Sequence, residues 1–108
     1  MDESDVRDFQ TVQQQLQLIL LQKQQVDMQL MELKKAGEEV GKSEGTFYRF
    51  VGSVVVPKKK EELKKELAEE KETLELRQGV FGKQEKILRE RFDGLRKKLE
   101  AGEGAVSG

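Results

Sequence analysis

Two long stretches of the chain repeat apolar residues at the spacing of a helix seam, and a short stretch between them does not. From about residue 4 to 41 helix formers dominate and no proline intervenes. Phe9, Val12, Leu16, Ile19, Lys23, Val26, Leu30, Leu33, Gly37 and Val40 follow one another at alternating steps of three and four, and eight of the ten are apolar. That is the a/d pattern of a coiled-coil face. Acidic residues open the stretch (Asp2, Glu3, Asp5), which suits the positive end of a helix dipole. Gly41 follows Val40 and is expected as a left-handed cap.

A second helix is expected from about residue 58 to 101. Leu67, Leu74, Phe81, Leu88 and Leu95 recur at a strict interval of seven. The complementary row is polar at Lys64, Lys71, Gln78 and Glu85, then apolar at Phe92 and Leu99. Gly79, Gly82 and Gly94 lie inside this helix and weaken it by roughly 1 kcal/mol each relative to alanine. Glu61–Lys65, Glu85–Arg89 and Asp93–Lys97 are spaced as i,i+4 ion pairs. The Gly-rich segment 102–108 is expected to be a flexible tail.

Between the helices the texture changes. Gly41 to Gly45 reads as a loop. Phe47, Tyr48, Phe50 and Val51 form one β-rich run, Val54, Val55 and Val56 another, and Gly52-Ser53 separates them. This predicts a β-hairpin over about residues 46–57 with a type II′ turn, Gly52 first. Pro57 is expected to end its second strand. With only this insert between them, the helices fold back antiparallel. Residues whose numbers sum to about 100 then face each other, give or take a turn. Ile19 faces Phe81, Val26 faces Leu74, Leu33 faces Leu67, and Phe9 meets Phe92. The whole of 1–108 reads as one mainly α domain: a two-helix antiparallel coiled coil with a β-hairpin at the bend.

Composition narrows the function. Charged residues make up 38% of the chain and aromatics 6%. Such a chain buries a thin seam rather than a thick core. The net charge is −1 with both signs mixed, which argues against nucleic acid as a partner. Lys58-Lys59-Lys60 is a basic run next to the hairpin, offset by Glu61 and Glu62. The longest apolar run of the first half, Leu18–Leu21, is too short to span a membrane. Cysteine and histidine are absent, excluding disulfides and thiolate or imidazole metal sites. No phosphate loop and no nucleophile–base pair is visible, so neither an enzyme nor a cofactor is expected. A cytoplasmic location is expected, since the acidic N-terminus is unlike a secretion signal.

Two features invite function. The hairpin is apolar on both faces (Phe47, Tyr48, Phe50, Val51, Val54, Val55, Val56) and has unpaired edges. It is either a plug on the helix ends or an assembly module whose copies join into a closed barrel, which would remove the edges. The open end of the coil gathers Val6, Phe9, Val12, Phe92, Leu95 and Leu99. These are either ordinary seam residues or a partly exposed apolar surface that grips other proteins.

Four segments in this order resemble the prefoldin β subunit family. They are Gln13 to Leu18 with Gln22-Lys23-Gln24 and Lys34-Lys35-Ala36; Tyr48 to Val56; Glu72 to Arg77; and Gln84 to Ile87. The resemblance covers about residues 10 to 100. It implies a hexamer of two α-type and four β-type subunits whose hairpins form the base. It also implies that coil tips hold non-native protein without ATP and pass it to a group II chaperonin. Lys64, Lys71 and Gln78 depart from that family's commonly apolar seam. A structural coiled-coil adaptor without chaperone activity is the alternative. A nucleic-acid-binding hairpin acting through Lys58–Lys60 is a third reading.

Overall fold

A computed structural model describes the backbone of residues 3–107 and the side chains of residues 3–102. Met1, Asp2 and Gly108 of the expected domain lie outside the described residues. The element order is α1 (Glu3–Lys42), β1 (Phe47–Val51), β2 (Val54–Lys58) and α2 (Lys60–Ser107). The mainly α architecture with a two-stranded antiparallel hairpin between two long helices is as the periodicity predicts. No described helix is long and apolar enough to cross a membrane.

The boundaries differ from expectation in instructive ways. α1 continues through Gly41 to Lys42, and Gly41 does not adopt a positive φ; Gly45 does, at 97°. The helix closes without a glycine cap because its end is satisfied from elsewhere. Ser43 N donates to Glu39 O at 3.1 Å. The Lys60 ammonium donates to the carbonyl oxygens of Gly41 at 3.4 Å and Ser43 at 3.1 Å. α2 starts at Lys60 because Lys58 belongs to β2. Glu61 and Glu62 occupy its first turn, where the dipole favours them. The helix then runs on to Ser107, so the backbone stays helical across most of the segment expected as a tail. No proline interrupts it there.

In the hairpin Val51 pairs with Val54 across the two-residue loop Gly52-Ser53. Gly52 has φ 62° and, among the described residues, no non-glycine residue has a positive φ, as a type II′ turn requires. Pro57 does not end β2 but lies inside it, opposite Tyr48. Counting back from the hydrogen-bonded closing pair Val51–Val54, pairs alternate. Tyr48–Pro57 is therefore a position where no ladder hydrogen bond forms, and the missing N–H costs nothing there.

The chain comprises two compact units: Met1–Gln24 with Gly79–Gly108, and Gln25–Gln78. Each has its own thin core. In the first, Val12, Leu16 and Ile19 are buried; in the second, Val26, Val40 and Leu63. All but Leu63 belong to the first helix's three-four seam row.

Candidate functional site

The hairpin belongs to the second unit, and its two faces differ. Alternation along β1 and β2 puts Phe47, Arg49, Val56 and Lys58 on one face, half-buried, and Tyr48, Phe50, Val55 and Pro57 on the other, exposed. The half-buried face is fastened to α2 by charge. Arg49 Nη1 donates to Glu66 Oε2 at 2.9 Å, and Nη2 donates to Glu70. Lys58 Nζ donates to Glu66 Oε1 at 2.7 Å and to Glu62 at 3.2 Å. Glu66 is thus shared by one cation from each strand. Hydrogen bonds from Lys58 and then Arg49 hold its carboxyl below the ordinary value of 4.5. Hydrogen bonds to Glu66 and Glu62 raise the Lys58 ammonium above its ordinary range.

The opposite face presents apolar surface to solvent. Phe50 is 76% exposed, and Tyr48 and Val55 are also exposed; Val51 and Val54, next to the turn on the fastened face, are exposed as well. Of the seven expected assembly residues only Phe47 and Val56 are half-buried. Both strands of this two-stranded sheet have an outer edge without a partner strand. Beneath the turn, Phe50 and Val51 overhang a groove of about 880 Å³ floored by Leu33, Ala36 and Leu74.

The first unit holds the expected tip residues. Phe9 and Phe92 stack with centroids 4.9 Å apart and planes at 27°, as the antiparallel register predicts. Phe9, Phe92, Leu95 and Leu99 are half-buried, and Val6 is exposed. Val12 departs from that group. At 1% exposure it is the most completely buried large side chain described, so it serves the seam and offers no surface.

The polar seam row divides in two. Lys64 and Lys71 turn their ammonium groups outward to Glu61 and Glu75. Gln78 and Glu85 reach across instead. In the second unit Gln78 Nε2 donates to Asp27 Oδ1 at 2.8 Å. In the first, Lys23 donates to Glu85 Oε1 while Arg89 Nε donates to Glu85 Oε2 at 2.6 Å. Hydrogen bonds from Lys23 and then Arg89 hold the Glu85 carboxyl below 4.5. These long side chains span about one to two turns beyond the register expected from the sums. Of the expected i,i+4 pairs Glu85–Arg89 forms, whereas Glu61 and Asp93 pair with Lys64 and Arg96.

Two of the three lysines of the basic run, Lys58 and Lys60, are engaged with the fold. Lys58 is tied to Glu62 and Glu66, and Lys60 to Glu44 and the end of α1. Among the described residues no group of acidic side chains could hold a metal ion. Sequence reasoning missed the Arg49–Glu66–Lys58 anchor. Its signal was present: two basic residues, Arg49 and Lys58, fall on one face of an otherwise apolar hairpin closed by the Gly52-Ser53 turn.

Known proteins share this geometry. A family model described as prefoldin subunit matches residues 3–102. Prefoldin subunit beta of Archaeoglobus fulgidus is 42% identical over 97 residues, covering 88% of this chain and 84% of the relative. That of Thermococcus onnurineus is 46% identical over 90 residues, covering 82% and 78%. The crystal structure of the prefoldin beta subunit from Thermococcus strain KS-1 superimposes with a TM-score of 0.83. It is 34% identical and covers 93% of this chain and 90% of that one.

Proposed function

The chain belongs to the prefoldin subunit family, and we propose on that footing that it is the β-type subunit of a chaperone that holds non-native proteins without ATP. In this reading it assembles with α-type subunits and further copies of itself into a hexamer and delivers its clients to a group II chaperonin. Neither a cofactor nor catalysis enters the function.

The observation that carries the reading is the two-sided hairpin. One face is pinned to α2 by four ion pairs. The other exposes Tyr48, Phe50 and Val55 beside unpaired strand edges. A lone hairpin with that surface is marginal in water and prone to edge pairing. Joining hairpins edge to edge covers the apolar face and satisfies the edges together. Phe47, Tyr48, Phe50, Val51, Val54, Val55 and Val56 are the proposed assembly residues. In the first unit the half-buried Phe9, Phe92, Leu95 and Leu99, with exposed Val6, are the proposed client contacts. Val12 supports them from the seam.

Native mass measurement of the chain with and without an α-type subunit tests assembly. Suppression of aggregation of an unfolded protein, with no nucleotide added, tests the holding activity. An adaptor would assemble and leave the aggregating protein unprotected.

A further inference from the structure

One stretch of the first unit breaks the composition of the rest. Residues 10 to 24 contain seven glutamines and a single charged residue, Lys23, in a chain that is 38% charged. Lys23 is spoken for by Glu85 across the seam. The outer surface of α1 here therefore carries no free charge. Helix propensity does not account for this, because lysine, glutamate and arginine form helices about as well as glutamine does. Nor does the seam, whose residues here are Val12, Leu16 and Ile19, all buried.

On the side away from those residues lie Gln10, Gln14, Gln17, Leu18 and Leu21, at steps of four, three, one and three. That spacing makes one ridge. All five are exposed, with Leu18 at 56% and Leu21 at 52%. Two exposed leucines one turn apart, framed by amides instead of ions, form a surface that can be stripped of water without burying a charge. Each glutamine amide offers donors and an acceptor, the complement of the N–H and C=O groups of an extended peptide.

Building on the holding role proposed above, we propose that the ridge Gln10–Gln14–Gln17–Leu18–Leu21 is a second contact surface for client polypeptide. It takes extended, uncharged segments that mix apolar and amide side chains. Phe9, Phe92, Leu95 and Leu99 at the tip are apolar and half-buried, so they fit compact apolar groups. The ridge fits backbone, and charged segments are its poor ligands because they would lose hydration with no ionic partner.

The test uses the full chain assembled with an α-type subunit and two fluorescent peptides of equal length. One is built of Leu, Gln and Ser; in the other alternating Glu and Lys replace Gln. The unaltered assembly should bind the uncharged peptide at least tenfold more tightly, with little dependence on salt. Two variants follow. Leu18→Ser with Leu21→Ser removes the apolar contacts. Gln14→Glu with Leu18→Lys charges the ridge while adding an i,i+4 pair that keeps the helix stable. Each should weaken binding of the uncharged peptide about tenfold at unchanged assembly mass and helicity. Leu76→Ser alters a still more exposed leucine, flanked by Glu75 and Arg77, and should leave it unchanged. Equal binding of both peptides, or full binding by both ridge variants, overturns the assignment. So does a loss of binding that comes with a changed mass, which would make the ridge a contact between subunits. If the unaltered assembly fails even to suppress aggregation of an unfolded protein, it is the holding role that fails.

Discussion

The ammonium of Lys23 donates to the carboxylate of Glu85 across a seam whose α1 side is otherwise apolar in the first unit, at Phe9, Val12, Leu16 and Ile19. Arg89 takes the second carboxylate oxygen at 2.6 Å. A polar pair inside a seam stabilises little compared with well-packed apolar residues, but removing one partner leaves the other stranded. Such a pair can fix register, because apolar rows alone can slip by half a heptad.

The pair should therefore trade stability against uniqueness. Lys23→Leu with Glu85→Leu is expected to raise the thermal midpoint, and Glu85→Leu alone to lower it. The stacked Phe9 and Phe92 report register. With cysteines placed at both positions, disulfide formation should be uniform in the otherwise unaltered chain and lower in yield when both polar residues are leucine.

Val12 separates seam from surface. Its side chain is 1% exposed, so Val12→Ala should cost about 1.5 kcal/mol of stability. The loss would be read from chemical denaturation. Its effect on client holding should be no larger than that loss of folded protein explains. Phe92→Ser, Leu95→Ser and Leu99→Ser together should reduce aggregation suppression well beyond it, with assembly mass unchanged.

The hairpin variants should act on assembly alone. Val55 is exposed in the single chain, so Val55→Asp buries no charge until hairpins meet. Helical dichroism of the variant should match the unaltered chain while native mass falls to the free subunit. A variant that still assembles would remove the hairpin from the interface.

Acid should release the hairpin from α2. The Glu66 carboxyl lies below its ordinary value of 4.5 because Lys58 and Arg49 donate to it. A depressed carboxylate contributes in full above its unfolded value, and the contribution is lost as pH falls through the lower folded one. Hydrogen exchange of the β1 and β2 amides should therefore be insensitive to pH above 4.5 once the intrinsic rate is corrected, and should accelerate below it. Glu66→Gln should show the fast exchange already at neutral pH. Added salt should move the unaltered chain the same way, since these charges are only partly shielded from water.

Much of this was legible in the residues. The helices, the hairpin, its Gly52 turn and the Phe9–Phe92 contact all follow from strict periodicities and from one glycine that must adopt a positive φ. What the periodicities could not carry was set by long polar side chains. Lys60 reaches back to end α1 without a glycine cap. Arg49 and Lys58 reach α2 and decide which hairpin face is covered. Lys23 and Glu85 meet well off the simple register. Pro57 was misread as a terminator because its pairing partner, and so its harmless position, depends on where the ladder begins. Val12 looked like a tip residue from its number alone, yet three-dimensional packing buries it.

One assay bears most directly on the proposed role. An unfolded protein is diluted from denaturant into buffer without nucleotide, and light scattering is followed with the assembled chain and α-type subunit present at increasing ratio. Scattering should fall to the baseline near one assembly per unfolded molecule, and Val55→Asp, expected to stay helical but unassembled, should lose most of that effect. Undiminished scattering in the presence of an intact assembly of the expected mass would contradict the account and leave the chain a structural adaptor.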